Sequence, residues 1–178
     1  AMGLAVSHEL RSPLTRARLE VELLEDSKIK EDLLNEIIRS FNEISNKKLS
    51  FLVKKNEINP QIERTLEITY GLRNFIGNAY KFSKQNIKVK LLSDKKYTEI
   101  QISDDGPGFP KDIIDKLGEP YIKSSSQEVK PKMGLGLGTF IGKTLLEKNY
   151  GKINFTNYSE TKGAIVNISW LNADLNKI

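Results

Sequence analysis

The chain has 178 residues, 38% of them hydrophobic, which is enough for one large cored domain or two small ones. It carries no cysteine and one histidine, so neither a disulfide framework nor a structural zinc site is available. The net charge of +5 comes from lysines scattered among acidic residues with no interleaved aromatic stripe, so a nucleic-acid partner is not expected. No apolar run reaches the ~18 residues that mark a membrane span, so no membrane contact is expected of these residues.

Leu10, Leu14, Ala17, Val21 and Leu24 recur at alternating steps of four and three, which predicts a helix with a bundle-type seam. The lone histidine, His8 in "AVSHELRSPLTR", lies at the edge of that stripe, where solvent reaches it. After "EDS", with Asp26 or Ser27 as a cap, Leu34, Ile37, Phe41 and Ile44 mark a second helix. Two such helices make an antiparallel hairpin, and a second copy of the chain would complete a four-helix bundle. The alternative is a hairpin packed on the chain's own C-terminal part. A polar stretch with Pro60, "KKNEINPQIERT", then suggests a division into residues 1–52 and 53–178.

Beyond it, "LEITYGLRNFIGNAYKFSK" predicts a helix, and "NIKVKLLS" and "YTEIQISDD", separated by "DKK", predict an antiparallel strand pair. "GTFIGKTLLEKNYG" predicts another helix stopped by Gly151, and "KINFTN" with "GAIVNISWL" a closing strand pair. The class is α+β, with helices on one face of a mostly antiparallel sheet.

Three constellations in this second part carry chemistry. Asn74, Asn78 and Lys81 share one helix face, while Leu72, Phe75, Ile76 and Ala79 point to the core. Two amides and an ammonium on one stripe suit phosphate oxygens and a hydrated Mg2+, although a plain solvated face fits equally. Asp104, Gly106 and Gly108 in "ISDDGPGF" close a strand in ideal turn chemistry, with a carboxylate able to accept from an amine. Gly134, Gly136 and Gly138 in "KMGLGLGTF" run straight into a helix, whose N-terminal amides favour phosphate. The spacing meets neither the P-loop nor the dinucleotide fingerprint.

In this order the three stretches resemble the ATP-binding domain of the sensor histidine kinases, the GHKL-type or Bergerat fold shared with Hsp90, type II topoisomerases and MutL. "SHELRSPLTR" resembles the phosphoacceptor box of the same kinases. The resemblance implies a helical hairpin for dimerisation and phosphotransfer, then an α/β sandwich that binds ATP. It places His8 at the phosphoacceptor position and Glu9 as the acid that orients the imidazole or takes its proton. Ser12 falls where the family places a residue implicated in hydrolysing the partner's phosphoaspartate, and Pro13 at the bend after the histidine. Asn78 matches the Mg2+ ligand, with Asn74 one turn before it, Lys81 near the phosphates and Phe82 against the nucleotide. Asp104, with Gly106 and Gly108, matches the adenine-reading loop. "KSSSQEVKPKM" corresponds to a lid, flanked by Gly134, Leu135, Gly136, Leu137 and Gly138. The implied activity is transfer from Mg-ATP to histidine and on to a response regulator receiver domain, by a homodimer. These residues would be cytoplasmic, in a whole protein anchored in the inner membrane.

Departures from the family pattern accompany it. From His8 to Asn78 the chain is a few dozen residues short, and residues 50–66 offer one short strand at most, which would leave the Asn-bearing helix poorly covered. Lys123 in "LGEPYIKS" stands where an arginine usually reaches the γ-phosphate. "LGEPY" and "GKTLLE" are similar to the redox-responsive kinases of photosynthetic proteobacteria, but their regulatory cysteine and H-E-L-G-T-P box are missing. The alternatives within the fold are a GHKL-type ATPase and a serine kinase of the anti-sigma type.

Overall fold

A computed structural model describes residues 29–44, 46–55, 62–119, 137–160 and 162–178. In chain order they form α1 (Ile29–Asn42), β1 (Lys48–Lys55), α2 (Leu66–Phe82), β2 (Asn86–Ser93) and β3 (Tyr97–Asp104). A 3-10 turn at Ile114–Lys116, α3 (Leu137–Lys148), β4 (Lys152–Asn157), β5 (Ala164–Leu171) and a one-turn α4 (Asn172–Leu175) follow. The strands make one sheet in the order β1-β2-β3-β5-β4; β1 runs parallel to β2 and every other pair is antiparallel.

Period-two alternation builds the sheet. Ile87, Val89 and Leu91 of β2, Ile100 and Ile102 of β3, and Val166, Ile168 and Trp170 of β5 are all buried, with more polar neighbours between them. The expected "DKK" turn joins β2 to β3, its Asp94 carboxylate accepting from the amides of Lys96 and Tyr97, each at 2.7 Å. Against this face lie the apolar stripes of α1 and α2 and Leu146 of α3, in one continuous core. Each large side chain fully withdrawn from water there contributes about 1.5–3 kcal/mol.

Helix α1 is the one the sequence suggests as the second arm of a hairpin. Its stripe is buried as its spacing requires: Leu34 and Ile37, with Leu33 and Ile38, lie in the sheet core, and Phe41 meets the Tyr80 ring of α2 at 5.4 Å. Ile44, past the helix end, is 77% exposed. This apolar face is therefore occupied within the chain itself. Periodicity identifies a buried face without identifying what covers it.

Strand β1 runs through the suggested division at residues 52 and 53, and residues on both sides of that point pair with β2, from Lys48 opposite Asn86 to Lys55 opposite Ser93. Leu49 turns into the core, while Phe51 and Val53 pack half-buried against it. With α1 and β1 in place, the Asn-bearing helix is covered despite the short stretch before it.

Candidate functional site

Helix α2 carries the polar stripe. Its N-cap is Thr65, whose hydroxyl accepts from the Ile68 amide at 3.1 Å and also bonds the side chain of Asn149 after α3. Ile68, Gly71, Leu72, Phe75, Ile76 and Ala79 face the core. Asn74 and Asn78 therefore point the other way, toward the first turn of α3, as the spacing predicts. A Cβ built on Gly71 would stand 2.5 Å from Leu146 Cγ, so a bare backbone at this position lets the two helices approach closely.

At that contact Asn78 Nδ2 donates to Thr139 Oγ1 at 3.3 Å, and among the described residues nothing donates to Asn78 Oδ1. Asn74 gives its Nδ2 to the Tyr70 carbonyl at 3.0 Å and holds its oxygen beside Gly138, 3.8 Å from where a Cβ would be. Leu137 opens α3 and is 63% exposed. Lys81 is exposed, its ammonium 5.4 Å from the centre of the half-buried Phe82 ring.

The adenine-reading aspartate expected at the end of β3 is buried, at 7% exposure. Asp104 Oδ1 accepts from the Gly106 amide at 2.7 Å. Burial raises its pKa, opposed by backbone bonds from Gly106 and Ala164 and by the charge of Lys47, and assisted by the neighbouring Asp105. Gly106 must be bare, since its Cβ would fall 2.3 Å from the Phe82 carbonyl oxygen. Gly108 has φ +81°, which glycine adopts without strain. The loop thus joins the C-terminal end of α2, bringing Asp104 and Phe82 together.

Four residues that the sequence did not single out for the site hold it in shape. Asp105 accepts from the amides of Lys84, Gln85 and Asn86 and from the Asn86 side chain, tying the α2–β2 junction to the loop. Burial pushes the Asp105 carboxyl up, but those bonds together outweigh it and hold the pKa below its ordinary value. Asn157 clamps the far side, accepting from the Phe109 amide at 2.7 Å and donating to its carbonyl at 2.9 Å. Lys47 donates to the carbonyls of Tyr80 and Ser83 at 2.6 and 2.8 Å, at the negative end of α2. Thr139 is the fourth. Only Asp105 left a trace, as part of a turn sequence; the others bond residues far away in the chain.

His8, Glu9, Ser12, Lys123, Gly134, Leu135 and Gly136, with the expected lid, lie outside the described residues. Among the described residues there is no cluster of three or more carboxylate, histidine or cysteine side chains able to hold a metal. The amide oxygen of Asn78 is a hard, neutral donor of the kind that suits a cation keeping most of its water. No helix among the described residues is long and apolar enough to cross a membrane.

A sheet backed by α2 and α3, with paired asparagines at their contact and a buried aspartate at a strand end, defines a nucleotide-binding ATPase fold. The chain belongs to the Histidine kinase-, DNA gyrase B-, and HSP90-like ATPase family, which it matches over residues 64–174, and residues 4–46 match the His Kinase A (phospho-acceptor) domain. It therefore has the parts of a sensor histidine kinase catalytic core. It is 35% identical over 130 residues to sensor histidine kinase RegB of Cereibacter sphaeroides, covering 65% of this chain and 28% of that one. To sensor histidine kinase CpxA of Escherichia coli K12 it is 24% identical over 188 residues, covering 82% and 41%. The chain thus spans less than half the length of either relative. The fold is shared with the mycobacterial sensor histidine kinase MprB (TM-score 0.64, 21% identity, 79% of this chain and 93% of that one). It is shared as well with the catalytic domain of histidine kinase ThkA (TM-score 0.65, 20% identity, 80% and 93%).

Proposed function

We propose that this chain is the core of an ATP-dependent protein-histidine kinase, which moves the γ-phosphoryl group of Mg-ATP to His8 and from there to an aspartate of a response regulator receiver domain. The observation that carries the reading is the meeting of Asn74 and Asn78 with the first turn of α3, with Asp104 held beside the Phe82 backbone at the C-terminal end of α2. In this reading the Asp104 carboxylate accepts from the exocyclic amine of adenine, and Phe82 lies along the base. The backbone amides of Gly134 to Gly138 face the phosphates at the N-terminus of α3. Lys81 and Lys123 add positive charge. Asn78 Oδ1 ligates Mg2+, which when bound offsets the charge on the phosphates.

In the transfer itself one imidazole nitrogen of His8 forms a bond to the γ-phosphorus. The bond to the β,γ-bridging oxygen breaks, and ADP leaves with its electron pair. Glu9 orients the ring through the other nitrogen and takes its proton. A histidine of ordinary pKa, about 6.5, is largely neutral and nucleophilic near pH 7. Labelled ATP with Mg2+ should yield an acid-labile, alkali-stable phosphoprotein that His8→Gln abolishes; equal labelling of His8→Gln refutes the reading.

We propose a division near residues 52 and 53, which lies between the matched stretches 4–46 and 64–174, with α1 and β1 packed on the ATP-binding part. Homodimerisation is assigned to the N-terminal segment that matches the phospho-acceptor domain. We further propose that the whole protein is anchored in the inner membrane with these residues on the cytoplasmic side. Ser12 is assigned to dephosphorylation of the regulator, which Ser12→Ala should remove while leaving labelling of His8 intact.

A further inference from the structure

We propose that Thr139 is a positioning residue that turns the Asn78 carboxamide so that its oxygen faces the cleft, and that Mg2+ affinity depends on this bond; the proposal rests on the reading of Asn78 as the metal ligand. A carboxamide has an oxygen and a nitrogen of nearly the same shape, and its terminal torsion has two broad wells. Left alone, Asn78 could present either atom, and only the oxygen can ligate a cation.

Thr139 holds the nitrogen in the orientation found. It is 2% exposed, and its Oγ1 receives Asn78 Nδ2 at 3.3 Å, so water has little room to take over that bond. The Thr139 hydroxyl offers that nitrogen an oxygen lone pair from a fixed place on α3. Valine has the same outline and no lone pair.

The geometry that makes this contact possible is specific. Gly142, one turn along α3, would place a Cβ 3.2 Å from Asn74 Cβ and 3.1 Å from the Phe75 ring, so the bare backbone sets how near α3 comes. Asn74, the other amide of the stripe, bonds within its own helix and gains no such cross-tie among the described residues. Thr139 is the third residue of α3, directly after the glycine-rich segment. Movement of that first turn would carry the acceptor away from Asn78 and release the amide.

The test measures binding of ADP to the whole chain by calorimetry, across a Mg2+ titration and in EDTA, for the parent, Thr139→Val and Thr139→Ser. The expected result is a Mg2+ midpoint about fivefold higher in Thr139→Val, the worth of one neutral hydrogen bond. Affinity in EDTA should be unchanged, and Thr139→Ser should behave as the parent. Should valine impair folding, Thr139→Ala is read in the same way. A Thr139→Val midpoint equal to the parent's overturns the proposal, as does a loss that is equal with and without Mg2+. A parent whose ADP binding ignores Mg2+ overturns the reading of Asn78 and the proposal with it.

Discussion

Asp105→Asn isolates the device that fastens the α2–β2 junction to the nucleotide loop. One carboxylate oxygen serves the amides of Lys84 and Gln85, the other the amide and side chain of Asn86. Asparagine keeps the shape but turns one oxygen into a donor facing donors, so about half of these bonds are lost. Bonds to a charged group are worth about 1.5–3 kcal/mol each, and solvent screening at this largely wet carboxylate lowers that. A loss of about 2 kcal/mol follows, or about 4–8 °C in Tm for a chain of this length.

The pH dependence has a definite sign. Asp105 is held below its ordinary pKa in the folded state, so its contribution is fully present above the unfolded value of about 3.9 and is lost as pH falls through the folded value. Parent and variant should differ at pH 7 and converge in acid. Trp170, the sole tryptophan and 1% exposed, reports unfolding by fluorescence in urea at each pH. A difference below about 0.5 kcal/mol at pH 7, the ordinary scatter of surface substitutions, would refute the reasoning, as would a difference that does not change with pH.

Two further outcomes follow from the same geometry. Gly71→Val drives carbon into Leu146 at the α2–α3 contact and should remove about 2–3 kcal/mol, read as a lower urea midpoint with an unchanged slope. Asp104 has a raised pKa from burial, so nucleotide affinity should fall as pH drops through a value above that of an ordinary aspartate, a step that calorimetry should find missing in Asp104→Asn. A raised pKa also means that the buried charge opposes folding at neutral pH, so Asp104→Asn should weaken binding without lowering stability.

Much of this architecture can be read from local pattern. The α2 stripe separates Leu72, Phe75, Ile76 and Ala79 from Asn74 and Asn78 because helical periodicity assigns faces whatever lies beyond them. The β2–β3 hairpin follows from alternation and the Asp94 turn. What escapes is the identity of a covering partner. The face of α1 is apolar whether it meets another helix or a sheet. β1 lies at a sheet edge and is rich in lysine, so it resembles a linker until β2 pairs with it. The site shows the same divide. Asp104 and the asparagines stand in recognisable strings, whereas Asn157 reaches Phe109 across 48 positions and Thr139 reaches Asn78 across 61. Nothing in the neighbourhood of either residue announces its partner.

The seating of α1 also fixes the length of the leash on His8. Only residues 9 to 28 separate the imidazole from a helix anchored in the nucleotide domain, a reach of about 30 Å if helical and about 70 Å if fully drawn out. Over such a span a tethered group is present at an effective concentration on the order of millimolar. If His8 is the acceptor proposed above, a tether of this length would let it meet the cleft without a diffusive search.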